Sequence, residues 1–298
     1  MNLKIYKMQF QNAHFGEGML SESVSSFDAS RLYSALFLEA QKLGKPDEFV
    51  ELTQNTDFVL SDAFPFIEGQ PFLPKPIGYP RVDQQIDSTD LKTVRQKAKK
   101  LKKILYIPLN KLDLFLKQEA DIEELEAYQN QLAKHSYTTQ KGVDPFEVGV
   151  TVYKNALYIL ASQSNLFDQL MESLQYSGIG GKRSSGLGGF SLEILPLPSV
   201  LAEKLTVKSN QSVMALSTSL PEDEELEDCI RGANYLLKKS SGFAYSETTG
   251  TLLRKQDLYK FKSGSTFRTT FKGKIADIRP DNFSHPVWNF AKGIFYQL

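Results

Sequence analysis

Cysteine is nearly missing from this chain: one residue, Cys229, among 298. A lone cysteine excludes an intrachain disulfide and a thiolate metal cluster, and it suits a reducing compartment. Histidine is almost as rare, at His14, His135 and His285 only, with no two spaced as a ligand pair one helical turn apart. No zinc site, no other metal and no cofactor are therefore expected. Net charge is absent, since 35 Lys and Arg balance 35 Asp and Glu. That balance argues against a protein that coats nucleic acid non-specifically, so any nucleic-acid site must be a local patch. Long apolar runs are also lacking. No stretch approaches the roughly 20 apolar residues of a membrane helix, and Met1-Asn2-Leu3-Lys4-Ile5-Tyr6-Lys7 has no apolar signal core. The expected location is cytoplasmic, without a membrane partner. What is present is enough apolar sequence, 41% hydrophobic, to exclude a disordered chain and to bury a substantial core.

Residues Leu3, Ile5, Met8 and Phe10 start a strand-like run whose alternation is imperfect near Tyr6-Lys7. A polar Gly- and Ser-rich loop spans Gln11 to Ser26. Asp28 then precedes a helix with Leu32, Leu36, Ala40 and Leu43 on one face, ended by Gly44 and Pro46. Asp57 to Leu60 reads as a short strand. Prolines at 65, 71, 74, 76 and 80 resist regular pairing, so about 62–145 reads as an irregular insertion. It carries a basic helix on Leu91, Val94, Ala98, Leu101 and Leu105, and a polar helix near 120–134. Val148, Val150 and Val152 alternate, Lys154-Asn155 turns the chain, and Leu157 to Leu160 returns. Ser164 caps a helix bearing Phe167, Leu170, Met171 and Leu174. A Gly-rich loop fills 177–189, and Phe190 to Leu195 is a strand.

Without the insertion the order is strand, helix, strand, strand, helix, strand, the split unit shared by ferredoxin-like and RNA-recognition domains. Pro196 and Pro198 mark a boundary, giving domains 1–198 and 199–298. The second unit begins near Ser209. Val213 to Leu220 is strand-like, and Leu226, Cys229, Ile230, Ala233 and Leu237 line a helix face after an acidic first turn. Alternating runs at 256–262 and 266–278 flank Ser263-Gly264-Ser265 as a hairpin. The expected class is α+β, with two ferredoxin-like (RRM-like) domains, the second less complete.

The loop Ser177-Gly178-Ile179-Gly180-Gly181-Lys182-Arg183-Ser184-Ser185-Gly186-Leu187-Gly188-Gly189 holds the most chemical information. Glycine fills six of its thirteen positions. Backbone N–H groups without neighbouring side chains can approach a phosphate closely, and Lys182 and Arg183 add charge at the centre. The P-loop pattern fails, because Tyr176 stands where its first glycine belongs and Arg183 follows the lysine. The dinucleotide fingerprint fails at Arg183, and both motifs run from strand to helix whereas this loop runs from helix to strand. A flexible connector is the alternative. The basic helix, with Lys92, Arg95, Lys97, Lys99, Lys100, Lys102 and Lys103, could meet phosphates, although a solvated amphipathic face is favoured. The 254–274 segment interleaves Arg254, Lys255, Lys260, Lys262, Arg268, Lys272 and Lys274 with Tyr259, Phe261, Phe267 and Phe271. Strand periodicity turns those aromatics to the core rather than to bases. His14 lies in the flexible loop after the first strand, either touching RNA or simply solvated. Asp28 is favoured as a helix cap over a catalytic carboxylate, and Cys229 as a buried, inert thiol. The acidic run 222–228 is a solvated helix start or a protein-contact surface.

At four places the chain resembles the RAMP proteins of CRISPR systems, and among them the Csm-type subunit that holds the 5′ end of the guide RNA in type III-A complexes. His14-Phe15-Gly16 is similar to that subunit's first loop. Leu32-Tyr33-Ser34-Ala35-Leu36 resembles its Asp-Thr-Leu-Phe-Ser-Ala-Leu helix, with Ser30-Arg31 in place of Asp-Thr. Lys102 to Leu109 resembles a Lys-rich, Ile-Pro segment, and His285 to Lys292 a His-Pro-Val-aromatic ending. An Asn-x-x-x-Arg segment is not evident near His135 to Phe146. The resemblance implies two ferredoxin-like domains and a non-catalytic subunit that grips the 5′ handle of the crRNA. It also implies docking of the large polymerase/cyclase-like subunit and contact with a backbone RAMP subunit. The RNA-binding residues it implies are His14, Gly16, Arg31, Gly178, Gly180, Gly181, Lys182, Arg183, Ser184 and Ser185. Three rivals stand beside it: a RAMP-type endoribonuclease processing guide RNA with His14 and Lys182, target-RNA cleavage by Asp28, and a protein-only scaffold.

Overall fold

The structure, a computed structural model, describes residues 2–80, 91–140, 145–206, 211–246, 250–281 and 283–298. Strand β1 (Leu3–Phe10) is followed by β2 (Asn12–Ala13), α1 (Ala29–Lys42), α2 (Pro46–Gln54), β3 (Phe64–Ile67) and β4 (Gln70–Pro74). The insertion adds α3 (Leu91–Lys103), β5 (Tyr106–Pro108), α4 (Leu112–Leu116), α5 (Ile122–Gln129) and β6 (Ala133–Gln140). Then come β7 (Phe146–Tyr153), β8 (Ala156–Ser162), α6 (Asn165–Ser177) and β9 (Phe190–Pro196). The main sheet is antiparallel in the order β5-β4-β3-β8-β1-β9. Its four strands β3, β8, β1 and β9, with α1 and α6 as the connecting helices, realise the split unit expected from the order of elements.

The imperfect alternation of β1 has a simple cause: this sheet is covered on both faces. Tyr6, Met8 and Phe10 enter a core with Leu32, Leu36, Ala40, Phe167 and Leu170 from α1 and α6. Ile5 faces a second core with Tyr158, Leu160, Ile107, Leu112 and Leu201. Six of the seven residues of β8 are buried, as a strand between two cores must be. Asp28 caps α1 by accepting the Arg31 N–H at 3.0 Å, and Ser164 caps α6 by accepting the Phe167 N–H at 3.1 Å.

Several sequence expectations give way. The second strand of the unit is β3, inside the proline-rich stretch; at 57–60 only Leu60 forms a bridge, to Ala161. Pro65, Pro71 and Pro74 lie in paired strands, because proline removes a donor but not an acceptor, and Phe64, Ile67, Phe72 and Leu73 are buried there. The hairpin turns at Glu68 (φ 51°) and Gly69 (φ 78°), the two positive φ values of a tight hairpin turn. The polar helix stops at Gln129, and from Ala133 the chain is strand. The strands flanking Lys154-Asn155 do not pair with each other: β7 joins β2 and β6, while β8 joins the main sheet.

The second half carries α7 (Ser199–Leu205), β10 (Val213–Ala215), α8 (Asp223–Ile230), β11 (Leu237–Ser240), β12 (Phe243–Ser246), β13 (Thr251–Arg254), β14 (Leu258–Phe261), β15 (Thr266–Phe267), β16 (Gly273–Asp277), β17 (Trp288–Lys292) and β18 (Phe295–Gln297). Its expected start near Ser209 lies outside the described residues. The strand from Val213 is shorter than expected. Helix α8 ends at Ile230, so Leu237 belongs to a strand, and Leu226 and Ile230 are exposed while Cys229 is buried. The expected hairpin about Ser263-Gly264-Ser265 does not form, since β14 pairs with β11 and β15 with β10. Phe261, Phe267 and Phe271 are core residues, as periodicity indicated, but Tyr259 is exposed and Lys260 fully buried.

Both large cores draw on the second half. Phe290 stacks on Tyr33 at 5.5 Å, and Met214, Leu216, Ile294 and Tyr296 complete the other core. Asp62 joins the halves by polar contact. It accepts the Ala29 N–H at the start of α1 (2.9 Å), the Thr218 N–H (2.9 Å) and the Thr218 hydroxyl (2.6 Å). Lys292 adds a second tie, donating to the carbonyls of Thr53 and Asn55, each at 2.7 Å.

Two predictions follow from this packing. Thr218→Val keeps the shape but removes a hydrogen bond to a buried carboxyl, so chemical denaturation should show a loss of about 1.5–3 kcal/mol. Burial and neighbouring acids push the Cys229 thiol up to about 11, so a disulfide reagent should label the native protein slowly at pH 8. Labelling should accelerate as pH approaches 11 or when denaturant unfolds the chain.

Candidate nucleic-acid interface

The Gly-rich loop is pinned rather than loose. It returns across the segment after β1, where Gly181 N–H donates to His14 O at 2.9 Å and Gly188 N–H to Asn12 O at 3.0 Å. Ile179 N–H closes it internally on Gly188 O at 2.9 Å. Glycine is needed for this approach at two places in particular. At Gly188 (φ +86°) a Cβ would stand 2.1 Å from the Ile179 carbonyl oxygen, and at Gly180 (φ +103°) it would stand 2.5 Å from that of His14. The flexible-connector alternative therefore fails on packing. The N–H groups of Ile179, Gly181, Ser185, Gly186 and Gly188 all donate to carbonyls of the protein. What turns outward is the tip: Arg183 to Ser185 form one exposed helical turn entered through Lys182 in the left-handed conformation (φ 55°).

His14 is not in a flexible loop. It is buried, and its Nδ1 sits 2.7 Å from Gly149 O. Its ring lies between Gly16 and Gly181, where added Cβ atoms would come within 2.9 Å and 2.7 Å of it. Arg31 donates from Nη2 to Gly16 O at 2.6 Å and lies 5.7 Å from the Phe15 ring centroid. Its Nη1 is buried and has no acceptor among the described residues. His14, Gly16, Arg31, Gly178, Gly180, Gly181 and Arg183 all line one cavity of about 380 Å³. Ser184 and Ser185 lie on the tip outside that lining. Lys182 turns elsewhere, with Nζ 4.8 Å from the centroid of Phe146.

A larger cleft of about 920 Å³ opens beside it, between α1 and the second half. His14, Gly16 and Arg31 line both spaces, and Lys238, Lys239, Lys255 and Lys262 add cations to the larger one. Lys238 bridges Glu17 at 3.0 Å and Asp28 at 3.3 Å. Burial alone would raise the Asp28 carboxyl, but Lys260, Lys238 and Arg31 hold it well below the usual range. Burial and the Asp28 charge push Asp62 up. Burial lowers Lys260, which donates to Asn289 Oδ1 at 2.9 Å, and it also lowers Lys255. Sequence reasoning missed Lys238 and Lys239. The doublet was visible, but it lay at the tail of a segment read as helix.

The other candidates are placed as follows. On the basic helix, Lys100 and Lys103 pair with Glu123 and Glu126 of α5 at 2.8 and 2.9 Å, while the side chains of Lys92, Arg95 and Lys97 lie outside the described residues. Lys274 pairs with Asp223 of the acidic run at 2.8 Å. Among the described residues no group of three or more His, Cys, Asp or Glu is arranged to hold a metal. No helix among them is long and apolar enough to cross a membrane.

Over residues 208–298 the chain matches the family described as the CRISPR Csm4 C-terminal domain. It is 48% identical over 300 residues to the CRISPR system Cms protein Csm4 of Streptococcus thermophilus, covering 100% of this chain and 99% of that one. It is 34% identical over 312 residues to the protein of the same name from Mycobacterium tuberculosis (strain CDC 1551 / Oshkosh), covering 100% and 98%. The fold is similar to that in the crystal structure of a Csm3-Csm4 subcomplex in the type III-A CRISPR-Cas interference complex. There the TM-score is 0.66 at 17% identity, over 99% of each chain. A Csm1-Csm4 cassette in complex with AMPPNP gives 0.60 at 14% identity, over 99% and 97%.

The two loop glycines at 186 and 188 should respond differently to alanine. Gly186→Ala meets nothing within 4 Å and bears only the backbone cost of φ +82°, about 1–2 kcal/mol. Gly188→Ala adds a collision with backbone and should unseat the loop. Limited proteolysis should then cut within 178–189 in the second variant and not in the first.

Proposed function

The chain belongs to the Csm4 family, RAMP-type subunits of type III-A CRISPR Csm complexes, and from that premise we propose that it is a non-catalytic, RNA-binding subunit holding the 5′ handle of the crRNA. The observation that carries this reading is the cavity beneath the Gly-rich loop. Arg31 and Arg183 line it, and the buried Nη1 of Arg31 has no acceptor among the described residues. A buried donor left unpaired is costly, and a phosphate oxygen of a single-stranded RNA would satisfy it. Lys182, Arg183, Ser184 and Ser185 supply the outer contacts. His14, Gly16, Gly178, Gly180 and Gly181 hold the shape of the site.

The processing-endoribonuclease alternative is less well supported, because a general base needs a free ring nitrogen in reach of its substrate. The His14 Nδ1–H bond to Gly149 O leaves Nε2 as the basic nitrogen, but the ring is buried between Gly16 and Gly181. Asp28, the other catalytic candidate, caps α1 and pairs with Lys238. The partners we propose are the large polymerase/cyclase-like subunit and a backbone RAMP subunit. Relatives of this fold crystallised in a Csm1-Csm4 cassette and in a Csm3-Csm4 subcomplex support that assignment. We read residues 1–198 and 199–298 as the two domains, the second a divergent copy of the ferredoxin-like plan, in a cytoplasmic assembly.

Lys182→Ala combined with Arg183→Ala should weaken binding of a handle RNA in titrations at several salt concentrations. For two lost phosphate contacts the slope of log K against log salt should flatten by about 1.4, roughly 0.7 for each on a single strand. The melting temperature should stay near that of the native protein. Unchanged affinity and slope would remove the loop from the binding site.

A further inference from the structure

Strands β12 and β13 pair in a register that sets Phe243 opposite Arg254 and Tyr245 opposite Leu252. Directly opposed residues point to the same face, so these four side chains form one surface. It is bare: Phe243 is 64% exposed, Tyr245 61%, Leu252 62% and the Arg254 side chain 60%. The hairpin is nonetheless anchored, since Ser246 is buried and accepts or donates a 3.1 Å hydrogen bond with His285 Nε2.

Cations surround this surface. Arg254 reaches both carboxylate oxygens of Asp257 at 3.0 and 3.1 Å, and Lys239 meets the same carboxylate at 2.7 Å. Lys255 follows Arg254 in the chain, and Asp257 and Asp281 line one small pocket with both, so three cations stand beside two acids. The β12–β13 pair also borders the larger cleft. Ser241 and Gly242, just before Phe243, and Lys255, just after Arg254, line that cleft, which reaches Arg31 and Gly16. Two exposed rings beside Arg254, next to a cleft lined by lysines, are the aromatic-and-cation pairing on which unpaired bases stack.

We propose that the β12–β13 face is a stacking platform for unpaired nucleotides of single-stranded RNA lying beyond the handle. The proposal rests on the RNA-binding reading above and extends the path of the same strand across the second half of the molecule.

The test uses the full chain, its Phe243→Ser plus Tyr245→Ser variant, and three RNAs. These are the handle alone and the handle lengthened by four unpaired nucleotides at either end, each extension carrying 2-aminopurine. The native protein should bind one lengthened RNA roughly tenfold more tightly than the handle, the scale of one stacked base, and should quench its 2-aminopurine. The double variant should lose that gain and the quenching while binding the handle normally. A Phe243→Trp plus Tyr245→Trp variant should keep both. No gain from either extension, or an undiminished gain in the serine variant, overturns the platform. Failure of the native protein to bind the handle at all would instead defeat the reading of the preceding subsection.

Discussion

A buried carboxyl holds the molecule in one piece. Asp62 takes donors from the first turn of α1 and from Thr218, which lies 156 positions away in the chain. A polar group this deep must stay partnered, because exposing it to an apolar environment costs more than any single contact returns. The start of α1 is therefore fixed relative to the second half. Asp28 and Arg31 lie within one turn of that point. One caps the helix and meets Lys238 across the cleft; the other reaches Gly16 and keeps a buried guanidinium nitrogen without an acceptor among the described residues. The geometry of the candidate site depends on this junction together with the Gly-rich loop.

The first half of the chain was readable because its elements follow rules that act over short distances. The stripe Leu32, Leu36 and Ala40, the caps Asp28 and Ser164, and the order of strands and helices all reappear in the structure. Errors arose where distant packing decides. The prolines at 65, 71 and 74 look like strand breakers, yet a tight turn at Glu68-Gly69 and four buried apolar side chains hold them in a sheet. Around Ser263-Gly264-Ser265 the pattern suggested a hairpin, but each flanking strand pairs with a partner from elsewhere in the chain. Lys260 sits among residues that alternate well, and only the structure reveals that the lysine is the buried member, held by Asn289.

The glycine-rich loop was legible as a site and misread as a device. Composition suggested a cradle of free N–H groups. In the fold most of those groups bind the protein's own carbonyls, and the glycines serve close backbone contact. Charge followed a similar course. A net charge of zero concealed an uneven distribution, with acids of α5 and α8 paired to lysines and more cations than acids lining the cleft.

The prolines of the main sheet have a consequence for the protein before it meets any partner. A freshly made chain with open sheet margins risks recruiting a strand from a neighbour and aggregating. Here β5 at one margin is three residues long and ends in Pro108, while β9 at the other ends in Pro196 and exposes Ser191 and Glu193. Each feature removes a donor or places polar side chains where a foreign strand would add. Pro108 and Pro196, apart from the prolines that hid the sheet from a sequence reading, keep its borders from templating unwanted assembly.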